Sequence, residues 1–123
     1  MTENELVAAF FTEGYGNRDY EKVLQYVAEN YIDHSPAGSR SNRDAVAILK
    51  IVAGEYPDMQ IKMLDIFGES GMVATRVRYE GTHFGGKHIC FEALENFLVE
   101  NGKITESWGY WPDKQIEMLL QAP

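Results

Sequence analysis

From residue 59 onward the chain alternates apolar and polar residues through four long runs: Met59 to Phe67, Met72 to His83, His88 to Glu100 and Ile104 to Trp111. A period of two is the signature of a half-buried β-strand. The connectors are Gly68 to Gly71, Gly85-Gly86 and Asn101-Gly102, all short and turn-like. Asn101-Gly102 is a strong hairpin signal, because both central residues of a two-residue turn need positive φ. These features predict a four-stranded antiparallel meander.

Upstream of residue 57 the period is helical. Thr2 to Glu5 fits a capping box, and Leu6, Val7, Phe10 and Phe11 follow at helical spacing until Gly14 and Gly16 are expected to end the helix. A second helix follows Asn17, with Tyr20, Val23, Leu24 and Val27 on one face. Tyr31 to His34 reads as a short extended piece stopped by Ser35-Pro36-Ala37-Gly38. Ser41 and Asp44 offer a cap for a third helix carrying Val46, Leu49, Ala53 and Tyr56, which Gly54 and Pro57 close. Pro112 stops the last strand, and Asp113 can cap a short closing helix with Ile116, Leu119 and Leu120 on its apolar face. Helices first and a meander second make an α+β fold, with helices on one face of a twisted sheet.

A chain of 123 residues forms one core, so residues 1–123 are expected to be a single domain. Its 11 basic residues are scattered among 19 acids, and a net charge of −8 argues against a nucleic-acid partner. No apolar stretch reaches membrane-spanning length, and Thr2 to Glu5 lacks the basic start of a secretory signal. The lone cysteine, Cys90, suits a reducing compartment, so the cytoplasm is the expected location.

If both Gly85-Gly86 and Asn101-Gly102 are two-residue turns, cross-strand partners can be counted. Tyr79 then faces Glu92, Gly81 faces Cys90 and Thr75 faces Asn96; beyond the second turn Glu92 meets Trp111, Cys90 meets Asp113 and Asn96 meets Ser107. That face carries the fewer charges and is assigned to the helix-covered interior. The other carries Arg76, Glu95 and Trp108 with Phe91, Phe97 and Tyr110, and offers an Arg76–Glu95 ion pair. A β-bulge in any strand would exchange the faces downstream of it and bring Trp108 inward. A wet patch of Phe91, Phe97, Trp108 and Tyr110 also predicts a homodimer.

The segments Tyr56-Pro57-Asp58, Gly81-Thr82-His83-Phe84-Gly85 and Asn101-Gly102-Lys103-Ile104, continuing to Glu106, Trp108 and Asp113, resemble the SnoaL-like polyketide cyclases. These lie within the superfamily of ketosteroid isomerase and nuclear transport factor two. The resemblance covers nearly the whole chain. It implies a cone-shaped domain with a deep apolar pocket for a hydrophobic small molecule, usually a homodimer, working without metal or organic cofactor. In the cyclases an aspartate near the end of the last strand is the acid/base of an aldol closure, and Asp113 is the matching residue. Family members set that aspartate one residue closer to the tryptophan.

A carboxylate in an apolar cavity gains basicity and can exchange protons near neutrality. Asp113 and Glu92 are the candidates; the competing account is a helix cap for Asp113 and a hydrogen-bonded buried acid for Glu92. His34 borders the pocket mouth in this family, as base or substrate contact or as a plain loop residue. Phe11, Tyr15, Tyr79 and Trp111 are candidate pocket walls, with His83, His88, Asn96 and Trp108 as further ligand contacts. Two cross-strand histidines alone make a weak metal signal, and no metal is expected. An acid/base isomerase, cyclase or lyase is the leading expectation; a non-catalytic binding domain and a dimerising interaction module are the alternatives.

Overall fold

The computed structural model describes all residues from Met1 to Pro123. The elements run α1 (Glu3–Phe11), a π-helical turn (Thr12–Asn17), α2 (Tyr20–Tyr26), β1 (Val27–Asp33), α3 (Asn42–Glu55), β2 (Gln60–Glu69), β3 (Met72–Thr82), β4 (His88–Glu100), β5 (Lys103–Tyr110) and α4 (Asp113–Gln121). One five-stranded, curved and unclosed sheet results, in the order β1-β5-β4-β3-β2. The early strand β1 pairs parallel with β5, and the other neighbours are antiparallel. No helix is long and apolar enough to cross a membrane.

Local chemistry explains the helix starts. Thr2 and Glu5 close the capping box reciprocally, Asp19 accepts from the Lys22 amide, and Ser41 accepts from the Asp44 amide at 3.0 Å. The end of α1 departs from expectation: the helix runs on through Gly14 and Gly16 as a π turn, and the chain reverses at Arg18, φ 56°. Gly14 serves packing instead, since a Cβ there would lie 3.1 Å from a Leu49 methyl of α3. Val27, expected on α2, opens β1. Asp113 does not cap α4; Pro112 holds the N-cap position, without a side-chain hydrogen bond, and Asp113 is the first helical residue.

The helices cover one sheet face. Val7 and Phe11 of α1, Val23 of α2 and Leu49 of α3 pack against Val73, Val77, Tyr79, Phe91 and Phe97, all buried. Each such side chain contributes roughly 1.5–3 kcal/mol by leaving water. On β3 the inward set is Val73, Thr75, Val77, Tyr79 and Gly81, as the alternation predicts.

The faces of β4 are corrected. Five residues, His83 to Lys87, join β3 to β4; His83 N–H donates to Lys87 C=O at 2.7 Å, and only Gly86 of the glycine pair has positive φ. A two-residue turn would need both, so Thr82 pairs with His88 and every β4 partner shifts by one. Phe91, Glu95 and Phe97 therefore point inward, while Cys90, Glu92 and Asn96 point outward. Arg76 binds Asp65 at 2.6 Å and Glu92 at 2.9 Å, not Glu95. Asn101-Gly102 turns as expected, with φ of 51° and 75°, but a bulge at Thr105 moves the register once more. The two shifts cancel for β5, which keeps Ser107 inside and Trp108 and Tyr110 outside.

Candidate active site

Between the helices and the sheet lies a cavity of about 210 Å³. Phe10, Ile48, Leu49, Val52, Phe97 and Trp111 contribute its apolar wall. The π turn at the end of α1 brings Tyr15 to the same space, against the Tyr79 ring with centroids 5.3 Å apart. Three carboxylates share the lining: Glu95 from β4, Asp33 from the end of β1, and Asp113 from the start of α4.

Glu95 is the acid held inside. Tyr79, fully buried, donates its hydroxyl hydrogen to Glu95 Oε2 at 2.6 Å. No cation pairs with Glu95. Burial pushes its pKa up to about 7, a rise that the Asp33 charge reinforces and that hydrogen bonding from Tyr79 and Trp111 only partly offsets. Gly109, opposite Glu95 on β5, leaves the space the carboxyl occupies: a Cβ there would sit 3.3 Å from Glu95 Cγ and Oε1. Burial also holds the Tyr15 and Tyr79 hydroxyls well above the usual tyrosine pKa, with the Glu95 charge acting in the same direction.

Asp33 sits in a different setting. Its Oδ1 accepts from the Ser35 amide at 3.0 Å and the Ser107 hydroxyl at 3.1 Å, and its Oδ2 accepts from the Ser35 hydroxyl. Tyr31 and Ser107, both buried, are hydrogen-bonded to each other. The parallel pairing of β1 with β5, where Asp33 faces Ser107, brings these groups together.

Among the residues singled out from sequence, Tyr15, Trp111 and Asp113 line the cavity, Asp113 from an exposed position. Tyr79 and Phe11 lie behind the wall in the core, Phe11 stacked on Tyr15 at 6.0 Å. Glu92 is on the outer face with Arg76 and Arg78, so the count that put it beside Tyr79 is corrected by the register of the His83–Lys87 loop. Asn96 lies outside, between Ala74 and Trp108. His34 stacks on Trp108 at 4.9 Å and bonds Glu106 at 3.2 Å, away from the lining. His83 packs on Tyr56 and Phe84, whereas His88 joins Glu80 at 2.8 Å and Thr82 at 3.0 Å, so the two do not form a pair. No three His, Cys, Asp or Glu side chains converge as a metal site would require. Sequence reasoning put Ser107 on the interior face without giving it a role, and missed Glu95, Asp33 and Tyr31 as site residues. For Asp33 a signal existed, since Asp followed two residues later by Ser-Pro suits a side chain bonding the backbone ahead of it.

The architecture has close structural relatives. A candidate SnoaL-like polyketide cyclase from Jannaschia sp. CCS1 superposes with a TM-score of 0.89 at 17% identity, over 99% of this chain and 94% of that one. IdmH, a candidate polyketide cyclase from Streptomyces antibioticus, gives 0.87 at 22% identity over 99% and 100%. AclR from Streptomyces galilaeus, described as a candidate hydroxylase, gives 0.81 at 19% over 98% and 97%. At such identities these likenesses establish the fold alone. No curated protein matches the chain in sequence. The family profile of the SnoaL-like polyketide cyclases, however, matches residues 5–119, nearly the whole chain and every strand of the cavity wall. On that match, with the helix-covered sheet and its small-molecule-sized cavity, the chain belongs to the SnoaL-like polyketide cyclase family.

Proposed function

We propose that the chain is a cofactor-free acid/base enzyme of the isomerase, cyclase or lyase type, acting on a hydrophobic, polyketide-like carbonyl compound, with Glu95 as its proton-transfer group. One observation carries this reading: a carboxyl inside an apolar cavity, with no cation against it and a pKa raised to about 7. Such a group is half-protonated where cells work, so it can take a proton and return it. As carboxylate, Glu95 removes a proton from the carbon beside a substrate carbonyl; the C–H bond breaks, an O–H bond forms on Glu95, and the electron pair moves onto the carbonyl oxygen. The resulting enolate is reprotonated at another carbon by the same carboxyl, or closes onto a second carbonyl whose oxygen takes the proton. Tyr15 and Trp111 are the walls that hold the substrate in this reading.

Asp113 is the competing assignment, from the family pattern. It stands exposed on the first turn of α4, not enclosed between helices and sheet. A panel of aromatic and aliphatic 1,3-diketones and β-keto esters tests the choice. Glu95→Gln is expected to lower turnover roughly 10²- to 10⁴-fold, with Asp113→Asn near native. A Glu95→Gln protein at full activity overturns the assignment.

A binding domain without turnover is the second reading, favoured by Asp33, whose oxygens are already engaged by Ser35 and Ser107. It predicts that ligands bind equally well to native protein and Glu95→Gln. For assembly we propose a homodimer through the outer sheet face, where Phe67, Leu94 and Tyr110 stand 71%, 61% and 67% exposed. Phe91 and Phe97, expected in that patch, belong to the core instead. Light scattering at micromolar concentration should give twice the chain mass for native protein and one chain mass for Leu94→Glu. The exposed, unpaired Cys90 fits a reducing cytoplasm as the working compartment.

A further inference from the structure

The hydroxyl groups along one wall of the cavity have a direction that follows from counting hydrogens. Asp33 accepts the single hydroxyl hydrogen of Ser107 and that of Ser35. Ser107 therefore has none left for Tyr31, and the Tyr31 hydroxyl must be the donor in the Tyr31–Ser107 bond. Every hydroxyl hydrogen in this string runs toward Asp33. Tyr31 and Ser107 both line the cavity, and each retains an oxygen lone pair but no hydrogen to offer a guest.

We infer that this wall is a subsite for a ligand hydroxyl, phenolic or enolic, donated to the Tyr31 and Ser107 oxygens, and that it rejects a ketone or ether oxygen at the same place. A ligand acceptor set here faces only lone pairs and loses the hydrogen bonds it made to water. The inference rests on the cavity being a small-molecule site and specifies which functional group the guest must carry at the β1–β5 end.

The test is fluorescence titration of the full chain at pH 5.5, where Glu95 is expected to hold its proton. The probes are 2-naphthol, 2-methoxynaphthalene and 2-acetylnaphthalene, which share one ring system and differ in donor or acceptor character. Native protein is expected to prefer the naphthol about tenfold. Ser107→Ala removes the oxygen that takes the Tyr31 hydroxyl hydrogen and releases that hydrogen into the cavity. Preference should then pass to the acetyl compound. Tyr31→Phe should lose the naphthol preference without gaining the ketone, and it decides the matter if Ser107→Ala fails to fold. Equal affinities in the native protein, or an unchanged preference in the folded variants, overturn the inference alone. Failure of every probe to bind overturns it together with the small-molecule reading of the cavity.

Discussion

Glu92 and Glu95 sit on one strand and within one turn of pleating of each other, yet the sheet gives them opposite chemistry. Glu92, 43% exposed, lies between two arginines on the wet face, open to water and to counter-charge. Glu95 meets a tyrosine hydroxyl, an indole and a cavity. The residue type is the same. What differs is which side of a period-two backbone each occupies, and therefore how much hydration each loses.

The contrast can be broken most forcefully through pH. Glu95 has a folded pKa of about 7, above the ordinary glutamate value of 4.5. A raised pKa stabilises the fold fully below the unfolded value and loses that contribution as pH rises through the folded one. The difference corresponds to about 3 kcal/mol at most. Urea denaturation at pH 5 and pH 8 should therefore show Glu95→Gln gaining stability over native protein at pH 8. A pH-independent gap between the two would remove Glu95 from the titrating groups.

Geometry offers a second break. Gly109→Ala sets a methyl against the Glu95 carboxyl and should lower turnover roughly ten- to hundredfold by displacing it. Stability should change by less than about 1.5 kcal/mol. Tyr79→Phe removes a bond that lowers the Glu95 pKa, so the pH midpoint should move up. Carboxyl-carbon NMR of labelled glutamate would read it directly. Smallest of all is Glu92→Gln, for which no change in turnover and no shift of that midpoint is expected. A shift would show that the outer face reaches the cavity.

The same pair shows how far the sequence could be read. Alternation gave β2 to β5 their existence, and β3 its faces, because hydrophobic period and burial agree there. Placing β4 needed one integer, the length of the His83–Lys87 loop, and two adjacent glycines resemble a two-residue turn although only Gly86 takes positive φ. That single residue exchanged Glu92 for Glu95 and sent Phe91 and Phe97 to the wrong side. The bulge at Thr105 then restored β5, so Ser107 and Trp111 were found inside by the cancellation of two errors. Asp33 and Tyr31 were hidden for another reason: a parallel pairing between distant strands leaves no turn to count across.

The β1–β5 pairing has a consequence for how the molecule is assembled. Strands β2 to β5 join through short loops and can form by local hairpins, whereas Asp33 and Ser107 are separated by 74 positions. Non-local closure of this kind is slow to reach and carries the larger loop entropy. We expect the sheet to form before the pocket, with amides of Val27–Asp33 exchanging faster than those of β3 and β4 in native-state hydrogen exchange. Equal protection would argue for one cooperative unit. A guest held by Tyr31 of the early chain and Glu95 of the meander would then act as a clasp between the two, so that occupancy of the cavity favours completion of the fold.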